Sequence, residues 1–272
     1  MQRTTSARIA FVGHGAMAQS VQAILAAQDG HGLETVAFLT GGKERSGPWV
    51  GSMAELLSRK PDLVVECASG DALMNHGTVA ARTGVPLLVA SVGALLRPDV
   101  RSRLEGWEHC VSFVAGAIGG LDLLRTTAAT GALEAVRYIS CKPVQAWRGT
   151  YAEQLVDLSA LAEPATFYSG NAFDASALFP FNANVCAAIA LSGLGPFETQ
   201  VSLQADPDIQ LNQHSIIATG RFGQADFRFT NFPLPENPKT SALAAHSIAA
   251  ALLDPVLRIP FASIGSRITR RN

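Results

Sequence analysis

Residues 8–18 read RIAFVGHGAMA, an apolar run followed by a glycine-rich turn. The run is typical of a buried strand, and apolar residues then recur at helical spacing from Met17 to Leu25. In Gly13-x-Gly15-x-x-Ala18, the first glycine allows a tight turn, the second lets the backbone approach a pyrophosphate, and the small alanine permits close packing of helix on strand. Strand, glycine turn and helix in this order predict a dinucleotide-binding unit. A glycine turn that serves only helix packing is the alternative.

The alternation of strand and helix patterns continues through the first third of the chain. Apolar runs at 35–39, 63–65, 85–90 and 111–114 are separated by loops and helical segments, which is the pattern of a parallel sheet with crossover helices. We therefore predict an α/β fold in which an N-terminal Rossmann dinucleotide-binding domain occupies residues 1–115.

Strand patterns dominate after residue 115, and they indicate a second domain. They lie at 134–142, 165–168, 199–204, 213–219 and 225–230. We expect a smaller α+β domain with a largely antiparallel sheet at 116–240, used for substrate binding and dimerisation. A C-terminal helix and tail at 241–272 can return to the first domain.

Small residues follow several predicted strands and are candidates to line a cofactor crevice. Ligands of doubly wound sheets bind at the carboxyl ends of the strands, although ordinary strand-to-helix turns also favour small residues. The candidate cofactor-binding residues are Gly13, Gly15, Ala16, Met17, Ala68, Ser91, Val92, Gly93 and Ala117.

The end of the second strand leaves the choice between NAD and NADP open. An acidic residue at this point would bind the adenosine ribose, but the strand ends in Leu39-Thr40, and the following loop offers Lys43 and Arg45. Those basic side chains are suited to the 2′-phosphate of NADP, and an exposed, solvated loop is the alternative. We expect the cofactor to be NAD or NADP.

Charge and hydropathy exclude several classes of partner. The chain has 21 basic and 22 acidic side chains, a formal net charge of −1, so no overall field attracts nucleic acid. No apolar run approaches the roughly 18 residues that a membrane-spanning helix needs, and the polar N-terminus does not resemble an export signal. We expect a cytoplasmic protein that binds neither nucleic acid nor membrane.

The four cysteines give no sign of a metal site. Cys67, Cys110, Cys141 and Cys186 are far apart and form no CxxC pair or Cys/His cluster. We interpret them as buried thiols in a reducing compartment, with a catalytic thiol as the alternative.

His214 is the candidate acid–base residue. Asn212 and His214 share one face of a predicted strand, because side chains two residues apart point the same way. Histidine titrates near neutrality and is the commonest general acid or base, although a single histidine in a strand is more often structural. His14, in the glycine turn, and His76, in a helix, are interpreted as binding or structural residues.

Six segments along nearly the whole chain resemble the L-aspartate dehydrogenase family. They are ECA at 66–68, ASVGAL at 90–95, GAIGGLD at 116–122, NANV at 182–185, NQH at 212–214 and NPKTSAL at 237–243. Two positions depart from the family pattern. The glycine turn ends in Ala16-Met17-Ala18, where many relatives have glycine or isoleucine, and Gln213 replaces an apolar residue. Neither change removes a functional atom.

The resemblance implies a reaction and an assembly. It implies reversible oxidative deamination of L-aspartate to iminosuccinate, then oxaloacetate and ammonia, with NAD or NADP, by a homodimer that serves NAD biosynthesis or nitrogen assimilation. It also implies that His214 is the acid–base residue and that the glycine turn, Ala117 and Asn184 contact the cofactor.

A substrate with two carboxylates requires cationic or N–H partners. The candidates are Asn212, Lys142, Arg148 and Lys239, and each of the three cations can equally be a solvated surface charge. Two other functions remain open: a dehydrogenase of another amino or hydroxy acid, similar to homoserine dehydrogenase, and a non-catalytic NAD(P)-binding sensor. The sequence does not specify which residue orients His214.

Overall fold

The computed structural model describes residues 6–41, 47–180, 182–235 and 237–261. The described residues form two compact units. The first contains those of Met1–Val114 and Ala245–Ser263, and the second contains those of Ala115–Ala244.

The strands and helices are numbered in chain order. The strands are β1 (Ala7–Val12), β2 (Leu33–Leu39), β3 (Trp49–Val50), β4 (Leu63–Glu66), β5 (Leu87–Val89), β6 (Val111–Phe113), β7 (Leu133–Pro143), β8 (Ala165–Asn171), β9 (Thr199–Asp206), β10 (Asn212–Gly220), β11 (Gly223–Asn231), β12 (Pro233–Leu234), β13 (Asn237–Ser241) and β14 (Ile259–Pro260). The helices are α1 (Ala16–Ala26), α2 (Met53–Ser58), α3 (Gly70–Ala72), α4 (Thr78–Arg82), α5 (Pro98–Leu104), α6 (Leu121–Ala129), α7 (Ala172–Leu178), α8 (Asn184–Ser192) and α9 (Ala242–Leu253). A π turn, Leu73–Gly77, joins α3 to α4.

The first unit is built on a seven-stranded sheet of order β14-β6-β5-β4-β1-β2-β3. Its neighbouring strands are parallel, except that β14 pairs with β6 in the antiparallel direction. Strand β4 is buried along its whole length, as expected for a central strand covered on both faces. This is the doubly wound arrangement that the sequence predicts.

The second unit is built on a five-stranded sheet of order β11-β10-β7-β9-β8. Its pairings are antiparallel, except for the parallel pair of β7 and β9, so the sheet is mixed and largely antiparallel. Along β10 the side chains alternate between buried and more exposed positions. The sheet therefore has one buried face, and the α/β fold class with a second, largely antiparallel sheet is confirmed.

Several short elements carry no pattern from which they could be predicted. Strands β3, β12 and β14 have two residues each, too few to show a period.

Helix α7 begins after Asn171, whose side chain accepts a hydrogen bond from the Asp174 N–H. Helix α2 begins with half of a capping box: Ser52 Oγ accepts from the Glu55 N–H, but the Glu55 carboxylate accepts from the Gly51 N–H instead of from the Ser52 N–H.

Candidate functional site

The glycine turn between β1 and α1 has the geometry of a dinucleotide-binding loop. Gly13 has a φ of +101°, and a Cβ there would lie 2.7 Å from Cβ of Ala68, so only glycine fits. A Cβ on Gly15 would meet nothing within 4 Å, which leaves open space beside the backbone. No side chain caps the N-terminus of α1, so its N–H groups and positive dipole can receive a phosphate. The turn therefore fits a dinucleotide.

We expect Gly13→Ala to weaken NADH binding by at least about tenfold, because the new Cβ would clash with Ala68 and an L-residue at this φ costs about 1–3 kcal/mol. A fluorescence titration of NADH measures the effect. Gly30→Ala is the matched control, since Gly30 has a φ of +66° but open space around it. Equal loss of affinity in both variants would contradict a specific role for Gly13.

The residue between the two glycines of the turn packs against aromatic side chains. The His14 ring lies 4.6 Å from the Phe38 ring and 4.3 Å from the Trp49 ring, both edge-on. This packing supports the structural interpretation of His14. Lys43 and Arg45, the candidate contacts to a 2′-phosphate, lie outside the described residues.

The loops after β4 and β5 contain both accessible and buried candidate residues. Ala68 is exposed and Ser91 is half-buried, whereas Val92 and Gly93 are buried in a short 3-10 turn. Val92 and Gly93 are therefore less accessible to a cofactor than Ala68 and Ser91. Glu66, which the sequence showed only as part of a family segment, is fully buried here and accepts hydrogen bonds from both loops.

A strip of polar side chains lies on the buried face of the second sheet. Tyr138, Ser140 and Lys142 alternate along β7, and Asn212 and His214 alternate along the neighbouring strand β10. Each is at most 5% exposed. Polar side chains are rarely buried without a structural or functional reason, so this cluster is a candidate site. The prediction that Asn212 and His214 share a face agrees with this arrangement. We call these five residues the polar strip.

Tyr138 is the orienting partner of His214 that sequence reasoning missed. The Tyr138 hydroxyl lies 2.7 Å from Nδ1 of His214 and hydrogen bonds to it, and the two rings are stacked at 6.0 Å. Burial, and then the positive charge of Lys142, lower the pKa of His214 to about 3. The imidazole is therefore neutral at physiological pH, with Nδ1 held by Tyr138.

Lys142 brings a buried ammonium to the polar strip. Its Nζ lies 5.3 Å from the centre of the Trp147 ring, a cation–π contact. Burial lowers the pKa of Lys142 to about 8, and the Cys186 side chain offsets part of that fall. Within the part of the chain that the structure describes, no carboxylate forms an ion pair with it. Such a cation is suited to receive an anionic ligand.

The remaining candidates of the second unit are not members of the polar strip. Arg148 is exposed and lines a groove with residues 153–159. The Lys239 side chain lies outside the described residues. Asn184 is the first residue of α8 and half-buried, and the carbonyl of buried Ala117 accepts a hydrogen bond from Asn231 Nδ2 at 2.7 Å.

Two of the cysteines, Cys141 and Cys186, have thiols that are poorly suited to act as nucleophiles. Cys67 and Cys186 are buried as expected, but Cys110 and Cys141 are only half-buried. Burial raises the pKa of Cys186 to about 12 and that of Cys141 to about 11, and a thiol must ionise to act as a nucleophile.

Across the described residues there is no group of three or more His, Cys, Asp or Glu side chains that could hold a metal ion. No helix in the described ranges is long and apolar enough to cross a membrane.

Two protein families match successive parts of the chain. Residues 13–108 match the family described as homoserine dehydrogenase, NAD binding domain, and residues 122–254 match aspartate dehydrogenase, C-terminal. Together with the parallel sheet and its glycine turn, these matches define the protein as an NAD(P)-dependent oxidoreductase with a Rossmann domain.

The sequences of similar proteins narrow this class to one family. An L-aspartate dehydrogenase of Ralstonia nicotianae is 40% identical over 257 residues, which cover 90% of this chain and 96% of the relative. Another, of Ruegeria pomeroyi, is 41% identical over 257 residues, covering 90% of this chain and 91% of the relative. The chain belongs to the L-aspartate dehydrogenase family, and the predicted resemblance is confirmed.

Solved structures share the fold. The aspartate dehydrogenase of Thermotoga maritima superposes with a TM-score of 0.71 at 22% identity, over 90% of this chain and 95% of that one. An archaeal homoserine dehydrogenase in complex with NADPH gives a TM-score of 0.55 at 10% identity, over 90% of this chain and 97% of that one. At these identities the likeness supports the fold alone.

Proposed function

We propose that this protein catalyses the reversible, NAD(P)-dependent oxidative deamination of L-aspartate to iminosuccinate, which water converts to oxaloacetate and ammonia. The observation that carries the proposal is the pairing of His214 with Tyr138 on a buried face that also holds the ammonium of Lys142. One side chain is suited to proton transfer, and the other is suited to a carboxylate.

The residues of the first unit would hold the cofactor mainly through backbone groups. Gly13, Gly15, Ala16 and Met17 would surround its phosphates at the N-terminus of α1. The loops that carry Ala68, Ser91, Val92 and Gly93 would approach the rest of the molecule. In the second unit, the family resemblance adds Ala117 and Asn184. A bound nicotinamide supplies the acceptor for the hydride that leaves the substrate Cα.

His214 would act as the acid–base residue of the hydrolytic half of the reaction. Because Nδ1 is held by Tyr138, proton exchange falls to Nε2. In the deamination direction, a water oxygen bonds to the carbon of the protonated imine while Nε2 takes a proton from that water, which gives a neutral carbinolamine. The imidazolium returns this proton to the nitrogen, and the C–N bond breaks as the C=O bond forms. Ammonia leaves, and the carbinol O–H proton passes to Nε2 and from there to solvent.

The substrate carboxylates would be held by the polar strip and its surroundings. Lys142 provides a buried ammonium, and Asn212 an amide on the adjacent strand. Arg148 and Lys239 are proposed as further contacts on the charge argument alone. A carboxylate next to Lys142 would also neutralise the charge that lowers the basicity of His214, so substrate binding would prepare the imidazole to accept a proton.

We expect Tyr138→Phe to lower kcat for L-aspartate oxidation by about 10- to 100-fold while KM changes less than about threefold. The phenyl ring retains the packing, but Nδ1 of His214 loses its hydrogen-bond partner and the ring its orientation. Steady-state kinetics measure both parameters. Tyr168→Phe is the control, because that hydroxyl donates to the Asn171 carbonyl outside the polar strip. An unchanged kcat in Tyr138→Phe would show that the hydrogen bond does not serve catalysis.

A substrate panel tests the proposed reaction against its rivals. We expect NAD(P)H formation with L-aspartate, and kcat/KM values lower by at least about 100-fold with L-glutamate, L-homoserine and L-malate. Preference for L-homoserine or L-malate would favour a dehydrogenase of another amino or hydroxy acid. Binding of NADH with no turnover of any panel member would favour the sensor. The panel with each cofactor also measures the preference between NAD and NADP.

We also propose that the protein acts as a homodimer in the cytoplasm, on the strength of the family resemblance and of the four free cysteines. Sedimentation of the purified chain at micromolar concentration tests the dimer. A monomeric mass that persists at full activity would contradict it.

A further inference from the structure

Glu66 is a buried carboxylate that the proposed reaction does not use. It is the last residue of β4 and is 0% exposed. Its Oε1 accepts hydrogen bonds from the Ala68 N–H at 2.8 Å, the Ser69 N–H at 3.0 Å and the Ser91 hydroxyl at 3.0 Å. Its Oε2 accepts from the Ser91 N–H at 3.1 Å. Four donors therefore converge on one side chain.

The chemistry of these donors requires an acceptor with two oxygens. Three of the four are backbone N–H groups, which cannot turn into acceptors, and a carboxylate is the side chain that accepts several bonds at once. Desolvation raises the pKa of the Glu66 carboxyl, and the hydrogen bonds from Ala68, Ser91 and Ser69 offset part of the rise. Hydrogen bonds therefore stabilise the buried Glu66 carboxylate, because no ion pair to it is found among the described residues.

The four hydrogen bonds connect loops that carry candidate cofactor contacts. Ala68 and Ser69 follow β4, and Ser91 follows β5, so one carboxylate joins the ends of two adjacent strands. Ala68 is also the residue whose Cβ limits the space beside Gly13. Fixing Ala68 therefore fixes one wall of the glycine turn.

We propose that Glu66 is a positioning residue for cofactor binding: its buried carboxylate holds the loops after β4 and β5 in the one arrangement that receives the dinucleotide. The inference rests on the NAD-binding fold of the first unit and does not depend on which substrate is oxidised. Glu66 acts through the loop backbone and through Ser91, so it is not a catalytic residue.

Glu66→Gln tests the proposal with the smallest change in size. In either orientation of the amide, its NH₂ group faces at least one backbone N–H group. At least one hydrogen bond is therefore lost, and two hydrogen-bond donors point at each other. We expect the Kd for NADH, measured by fluorescence titration without substrate, to rise by about tenfold or more. In the cofactor-free protein, we expect the amides of Ala68, Ser69 and Ser91 to exchange hydrogen faster than in the parent.

Two further variants make the result decisive. Glu55→Gln is the matched control, because Glu55 is an exposed carboxylate that accepts from the Gly51 N–H at 3.0 Å, and its NADH affinity should stay within about twofold of the parent. If Glu66→Gln does not fold, Ser91→Ala removes only the hydroxyl donor and should show the same changes to a smaller extent. Parental NADH affinity in a folded Glu66→Gln, or lost affinity with parental exchange at the three amides, would overturn the proposal. So would parental behaviour of Ser91→Ala where Glu66→Gln does not fold.

Discussion

Replacing His214 by alanine is expected to reduce kcat for L-aspartate oxidation by about 10³-fold, within the range that a positioned acid–base group contributes. The imidazole is buried, neutral and held by Tyr138, and no other histidine is part of the polar strip. Water attack on the imine would lose its base. NADH binding should stay within about twofold of the parent, because the glycine turn is unchanged.

The measurement is stopped-flow or steady-state absorbance of the reduced nicotinamide, with His246→Ala as the control. His246 is exposed on α9, and its removal should leave kcat within about twofold. His214→Asn supplements the alanine variant, because an amide can still pair with the Tyr138 hydroxyl in the buried site. Turnover in both His214 variants within a few-fold of the parent would show that another group moves the proton.

Replacing Lys142 by methionine is expected to raise KM for L-aspartate by about 100-fold, the equivalent of about 3 kcal/mol for a lost charge-assisted hydrogen bond. Methionine preserves much of the length and volume but removes the buried charge. The fold should not suffer, because a buried ammonium without a carboxylate partner is costly to the native state. A KM within threefold of the parent would place the carboxylate elsewhere, with Arg148 and Lys239 as the next candidates.

The pH dependence of dicarboxylate binding is a second test of whether the charge of Lys142 binds a carboxylate. In the free protein the pKa of Lys142 is about 8, so above that pH the site loses its positive charge. Competitive inhibition by succinate, which has no amino group of its own to titrate, should weaken about tenfold per pH unit above about 8 and stay nearly constant just below it. In Lys142→Met this dependence should vanish. Its persistence in the variant would assign the titration to a different group.

The lowered pKa of Lys142 also affects how the free energy of unfolding depends on pH. The unfolded chain binds a proton at Lys142 more tightly than the native state does, so the Lys142 contribution makes the free energy of unfolding rise as the pH increases from about 8 to the ordinary lysine value of 10.5. Lys142→Met should lose this contribution. Chemical denaturation of both proteins over this pH range measures the difference, and identical pH profiles would contradict a buried, charged Lys142.

The features that could be predicted from sequence are those that local patterns determine. The β1 to α1 turn is encoded within eleven consecutive residues, 8–18, and the shared face of Asn212 and His214 follows from the two-residue period of a strand. The long strands of the second sheet show the same period. Each of these predictions needs only residues that are close in the chain.

The features that could not be predicted depend on residues that are distant in the chain. Tyr138 and His214 are 76 positions apart, and they meet because β7 and β10 pair in a register that places His214 opposite Ser140. Glu66 and Ser91 are 25 positions apart and meet because β4 and β5 are adjacent. No period or spacing in the sequence specifies such a register. The two positioning residues therefore became visible only in the fold.

Oxidation of NAD(P)H by the intact chain, in the presence of oxaloacetate and with or without ammonia, tests the central claim most directly. We expect NAD(P)H to be consumed only when both oxaloacetate and ammonia are present, with L-aspartate formed in equal amount. Consumption without ammonia, with a hydroxy acid as the product, would show that the polar strip does not carry out amine chemistry. Absence of consumption under all of these conditions, by protein that binds NADH, would contradict the assignment of the reaction altogether.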